Sequence, residues 1–198
     1  MPETDTQRLF VAIFPPACIV TRLQVAAASL ATALPARAIR WTRPEQIHLT
    51  LHFLGAIETA RIPEIESALK AACGGHRRSQ VRVAGLGCFP NPRRPRILWA
   101  GLAGDLQPVE SLQRAVESGF RACGFHGEDR SFQPHLTIGR VSDSIAAGRG
   151  KLAEALAGEQ ARDFGEWEAG RVDLMQSVLS PQGAAYSVLE SFPLVDNQ

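Results

Sequence analysis

The chain has almost no excess charge of either sign: 21 basic against 20 acidic residues leave a formal net charge of +1 over 198 residues. Broad wrapping of nucleic acid needs a strongly basic face, so that class is excluded, although binding of a short end or a single phosphate is not. Cysteine is sparse too. Cys18, Cys73, Cys88 and Cys123 are scattered rather than spaced as a disulfide framework. Long apolar runs are missing: the alanine-rich stretch Val25 to Leu34 is too short and too weakly apolar to span a bilayer. The N-terminus has no basic segment leading into an apolar core and a cleavage site. These absences set the expectation of a cytoplasmic protein with no membrane partner.

A metal site is also not expected. Cys73-Gly-Gly-His76 and Cys123-Gly-Phe-His126 share a spacing that could supply four zinc ligands. Each cysteine closes a helical pattern, however, and the glycine after it is the residue expected at a helix C-terminus.

What the chain does hold is a near repeat. His48-Leu49-Thr50-Leu51 and His135-Leu136-Thr137-Ile138 stand 87 positions apart. In an extended strand alternate side chains share a face, so each copy offers one imidazole and one hydroxyl together, with Leu49, Leu51, Leu136 and Ile138 turned toward a core. Two positioned imidazoles suit paired acid–base work, because one takes a proton while the other gives one. An ordinary imidazole titrates near pH 6.5, so one member of the pair can be charged and the other neutral near pH 7. Either histidine alone would read as a core residue bonded to a carbonyl. The pair does not, because its context repeats as well.

That context is strand, helix, His-x-Thr strand, helix, strand. Arg8 to Ala12 and Arg96 to Ala100 are matching strand patterns 88 positions apart. The helix after the first carries Ile19, Leu23, Ala26, Leu30 and Leu34, and that after the second carries Leu106, Val109, Leu112, Val116 and Phe120, both at three-to-four spacing. Helical patterns follow each motif at Arg61 to Ala72, with Thr59 as its N-cap, and at Ile145 to Ala157. Strands follow at Gln80 to Gly87 and Arg171 to Leu179, and a last strand, Ala185 to Phe192, pairs back through Ser180 to Gly183. The fold expected is α+β: two pseudo-symmetric lobes of antiparallel sheet with helices packed outside and an active-site cleft between them. Residues 1–198 form one bilobal domain, with halves at roughly 8–87 and 95–174 and a closing strand at 185–192. Prolines at 90, 92 and 95 make the connection between halves stiff.

Other residues are candidates around the pair. Thr50 and Thr137 suit phosphate-oxygen donation, since no second base is evident to make them nucleophiles. His52, at i+4, is expected on the His48 face as a cleft-lining contact. Arg140 would point away on a regular strand, but a bulge at Gly139 would turn its planar fork, well suited to phosphate, into the cleft. Arg93 and Arg94 make a basic knot that is either a solvated loop or a contact for an RNA backbone. Phe132, Trp41 and Phe89 are candidates for base stacking, or else core aromatics.

With paired H-x-T-x motifs, H-x-T-x-x-R spacing to Arg140, and the stretches Trp41 to Gly55, Pro95 to Gly101, Phe132 to Arg140 and Val188 to Leu194, the chain resembles the two-histidine phosphoesterase superfamily. Within it the likeness is to bacterial RNA 2′,3′-cyclic phosphodiesterases, historically called 2′-5′ RNA ligases. The resemblance implies a monomer without metal or cofactor, acting on RNA with a 2′,3′-cyclic phosphate end or on a small cyclic nucleotide. It implies His48 and His135 as catalysts, with Thr50, Thr137 and Arg140 holding the phosphate. The reaction implied is opening of the ring to a 2′-phosphomonoester, with 2′-5′ ligation as its reverse. The near symmetry leaves open which histidine is the acid. The competing reading is a non-catalytic module of the same fold that binds nucleotides or RNA ends.

Overall fold

The structure is a computed structural model that describes residues 5–126, 131–142, 149–181 and 183–196. Among the described residues its sheet has nine strands. They are β1 (Thr6–Ile13), β2 (Ile39–Trp41), β3 (Leu49–Glu58), β4 (Ser79–Phe89), β5 (Ile97–Ala103), β6 (His135–Val141), β7 (Asp163–Ala169), β8 (Arg171–Ser180) and β9 (Gly183–Pro193). Four helices join them: α1 (Ala17–Ala33), α2 (Ile62–Gly74), α3 (Gln107–Ala122) and α4 (Arg149–Gly158). The strand order is β7-β4-β5-β6-β3-β1-β8-β9, with β2 also against β6, and every strand pair is antiparallel.

Period-two alternation decides which side the helices cover. Leu9, Val11 and Ile13 of β1, Leu98 of β5 and Leu136 and Ile138 of β6 join one core with the apolar stripes of all four helices. Those stripes include Leu23 of α1, Leu69 of α2, Phe120 of α3 and Leu152 of α4. Phe10 and Ala12 face the other way, into a small second cluster with Met175, Phe14 and Tyr186. One face of an antiparallel sheet is thus packed by helices, and the other is left open apart from the small second cluster. No helix among the described residues is long and apolar enough to cross a membrane.

The repeated halves of the sequence and the halves of the sheet do not coincide. β4, from the first repeat, lies beside β5 of the second, while β8, from the second, lies beside β1 of the first. Each half-sheet therefore borrows a strand, which ties the repeats into one body. The half-sheets β7-β4-β5-β6 and β3-β1-β8-β9 are joined at a single paired position, Leu49 opposite Leu136.

Three details differ from the sequence reading. Strand β7 was not foreseen, because Gly165 (φ 97°) interrupts its alternation, and three-residue β2 is too short to declare itself. Thr59 does not cap α2; it lies in a 3-10 turn (Thr59–Arg61), and its hydroxyl donates to Asp5 Oδ2 at 2.9 Å. The helix expected from Ile145 is described from Arg149 on, and residues 143–148 lie outside the described residues.

Candidate active site

The Leu49–Leu136 rung is the centre of the site. Both leucines point into the helix-packed core, at 1% and 0% exposure, so their neighbours point to the open face. In antiparallel register His48 then falls beside Thr137, and Thr50 beside His135. The two His-x-Thr motifs form a four-cornered patch on adjacent strands, with the histidines on a diagonal. Strand spacing of about 4.8 Å sets its width. The two strands lie side by side in one sheet, and it is their antiparallel direction that brings the imidazoles to one place.

The imidazoles are held in the same way. His48 Nδ1 lies 2.8 Å from the Gln46 carbonyl oxygen, and His135 Nδ1 lies 2.6 Å from the Gln133 carbonyl oxygen. A carbonyl only accepts, so Nδ1 carries the proton and donates in both rings. Each neutral ring is left with its Nε2 lone pair for chemistry. Gln46 is itself anchored, its side-chain amide donating to the Ala184 carbonyl of β9.

Their surroundings differ. His48 sits among Phe10, Phe14 and Tyr186, with ring centroids 4.9, 5.4 and 5.6 Å away. Burial there pushes its pKa down to about 4, against the pull of the Gln46 carbonyl and with a further push from His135. His135, edge-on to Phe89 at 5.0 Å, is also lowered by burial, and the Gln133 carbonyl works against the shift. Desolvation thus biases both rings toward the neutral form.

Bulges decide the residues beyond each threonine. In β3, Thr50 pairs with Ala12 but His52 pairs with Val11, leaving Leu51 as an extra residue. The bulge turns His52 to the core face, so it does not line the cleft as expected. It is 7% exposed and packs edge-on against Phe120 of α3 at 5.0 Å. In β6, Thr137 pairs with Trp99 and Gly139 with Leu98, leaving Ile138 as the extra residue. The register thereby returns Arg140 to the face of His135 and Thr137, through an irregularity one residue before Gly139. Gly139 is needed there because a Cβ would stand 2.7 Å from Ile39 Cγ2.

The same shift makes Phe53 the counterpart of Arg140. Phe53 is 50% exposed on the open face, with its ring 6.2 Å from Phe10. The sequence reading missed it, together with Phe14 and Tyr186. Strand alternation marks Phe10, but nothing in the sequence announces the bulge at Leu51. Phe132 and Trp41 are half-buried and pack against the helix-side core, while Phe89 lies edge-on to His135. Arg93 and Arg94 are exposed in the β4–β5 turn, where their backbone N–H groups donate to Asn91 Oδ1. Because Ile97 pairs with Arg140, that turn stands at the Arg140 end of the site.

A family model for LigT-like phosphoesterases matches residues 13–99 and 103–186, one stretch for each His-x-Thr motif. The chain belongs to this family. It is 33% identical over 156 residues to an RNA 2′,3′-cyclic phosphodiesterase of Methanothermobacter thermautotrophicus, covering 79% of this chain and 83% of that one. It is 32% identical over 197 residues to one of Thermus thermophilus, covering 94% and 90%. Among solved structures, the protein TT0787 of Thermus thermophilus superposes with a TM-score of 0.70 at 29% identity, over 94% of this chain and 97% of that one. The fold is also that of Escherichia coli LigT, solved with 3′-AMP (TM-score 0.72, 23% identity, 96% and 99% covered).

Proposed function

We infer that this LigT-like phosphoesterase hydrolyses RNA 2′,3′-cyclic phosphate ends to 2′-phosphomonoesters, with His48 and His135 as the acid–base pair. The observation that carries the reading is the Leu49–Leu136 rung, whose register sets two imidazoles on one diagonal, each held through Nδ1 by a carbonyl so that Nε2 is the nitrogen left for chemistry. Relatives named RNA 2′,3′-cyclic phosphodiesterase supply the substrate class.

In the proposed step, one neutral Nε2 takes a proton from water as the water oxygen bonds to phosphorus. The P–O3′ bond breaks, and the other imidazole, protonated, gives its Nε2 proton to the departing oxygen. Binding of the anionic phosphate supplies that proton's affinity, because a nearby negative charge raises an imidazole pKa that burial has lowered. Thr50 and Thr137 donate to the non-bridging oxygens, and Arg140 neutralises the charge that builds there; donors already in place need no reorganisation. In reverse, the same groups would join a 5′-hydroxyl to a cyclic end as a 2′-5′ linkage. These side chains supply both protons and charge, so the reaction is expected to run in EDTA. The four cysteines are free thiols, which fits a reducing compartment and supports action in the cytoplasm; the site is built within one chain, which supports a monomer.

The test is an RNA carrying a 2′,3′-cyclic end, incubated in EDTA with and without a strand bearing a 5′-hydroxyl. A 2′-phosphate as the main product supports the reading. A 3′-phosphate or a dominant joined product overturns its chemistry, and binding without turnover favours the non-catalytic module.

A further inference from the structure

Beside Arg140, in β2, is a second arginine that the sequence reading passed over. Arg40 is directly opposite Arg140 in the β2–β6 ladder, between the rungs Ile39–Val141 and Trp41–Gly139. Ile39, Trp41 and Val141 pack against the helix-side core, so alternation puts Arg40 on the open face with Arg140. Both are exposed, and neither makes a hydrogen bond or ion pair with another described residue. Like charges directly opposite each other across a ladder are destabilising. A sheet that faces two guanidiniums with no carboxylate of the described residues paired to either is arranged for anions from outside.

The charge count says how many. A mononucleoside cyclic phosphate brings one negative charge, which the reading above gives to Arg140. An RNA end brings a second, on the phosphodiester just upstream of the terminal nucleotide. Arg140 is the next open-face residue after Thr137, about 7 Å along the strand, and Arg40 lies one strand to its side. The Arg93–Arg94 turn continues the basic band past Ile97 on the other flank. In a protein with a net charge of only +1, four arginines stand at one end of the patch.

We propose that Arg40 binds the phosphodiester 5′ to the terminal nucleotide, so that the site selects an RNA end over a mononucleoside cyclic phosphate. The inference rests on the proposed hydrolase reading and narrows its substrate. Planar, bidentate donation suits a phosphodiester's two free oxygens, and lysine would supply the charge without the fork.

The experiment compares wild type, Arg40→Ala and Arg40→Lys on adenosine 2′,3′-cyclic phosphate and on the dinucleotide ApA ending in a 2′,3′-cyclic phosphate. For the dinucleotide, Arg40→Ala raises KM about tenfold, the scale of one charge-assisted hydrogen bond, and leaves kcat within about twofold. Arg40→Lys recovers part of the loss. The slope of log kcat/KM against log salt shallows by about 0.7, the value for one phosphate contact on a single strand. The mononucleotide is unaffected within about twofold. Equal losses on both substrates would put Arg40 on the reacting phosphate, and no loss on either would remove it from the site; both overturn the proposal. Calorimetric titration of ApA 2′-phosphate and 2′-AMP into the same proteins repeats the comparison without turnover. If wild type cleaves neither substrate, the hydrolase reading fails while the titration still decides on Arg40: weaker dinucleotide binding by Arg40→Ala alone supports it, and unchanged binding overturns it.

Discussion

Acid should loosen this protein through His48. In the folded chain, burial among Phe10, Phe14 and Tyr186 holds its pKa at about 4, whereas in the unfolded chain it returns to about 6.5. Because the folded value is the lower one, the unfolded state binds the proton first. The stabilisation is complete above pH 6.5 and is lost as pH falls from there toward 4. At 1.36 kcal/mol per unit, proton uptake by the unfolded state removes about 2 kcal/mol between pH 7.5 and pH 4.5. Replacing His48 with glutamine takes this group out without adding a charge. Urea denaturation of wild type and His48→Gln at both pH values gives the assay, since titration of every group that does not interact with His48 cancels in the difference, and the weaker coupling to His135 leaves only a small residual. Wild type is expected to lose about 2 kcal/mol more than the variant across that interval. Losses that agree within about 0.5 kcal/mol, inside the error of extrapolation, would refute the desolvated histidine.

Three further outcomes follow from the same geometry. With both imidazoles biased toward the neutral form, the protonated partner is scarce in the free enzyme, so kcat/KM should rise as pH falls from 8 toward 6; kcat, read with phosphate bound, should fall off at higher pH than kcat/KM does. A kcat/KM optimum above pH 7.5 would contradict this. His52→Leu should leave turnover within about twofold and stability equal or about 1 kcal/mol higher, because it replaces a buried ring whose Nε2 has no hydrogen-bond partner among the described residues; a large loss of activity would return His52 to the cleft. Gly139→Ala should cost about 1–3 kcal/mol in denaturant unfolding, since the added methyl meets Ile39 Cγ2 at 2.7 Å; an unchanged midpoint would mean that the bulge has room to spare.

The chain discloses its site more readily than the frame that builds it. That His48, Thr50, His135 and Thr137 belong to one candidate site was legible because an i, i+2 pair shares a face in any strand, and because the motif recurs with matching flanks. Arg140 was legible through Gly139, a residue that suggests irregularity inside a strand. His52 was misplaced because its bulge falls at Leu51, where no glycine or proline signals it. Arg40 became visible only through the register that sets it opposite Arg140, which is a property of two strands and of neither alone. The exchange of β4 and β8 between the half-sheets is likewise a long-range pairing that local pattern does not encode.

The central claim is that two imidazoles act on one phosphorus, and it is tested most directly by single-turnover hydrolysis of a 2′,3′-cyclic RNA end in EDTA. His48→Ala and His135→Ala are each expected to slow the step by about 10²–10⁴-fold while keeping a cooperative unfolding transition. If either well-folded variant turns over within tenfold of wild type, that histidine is not part of the catalyst.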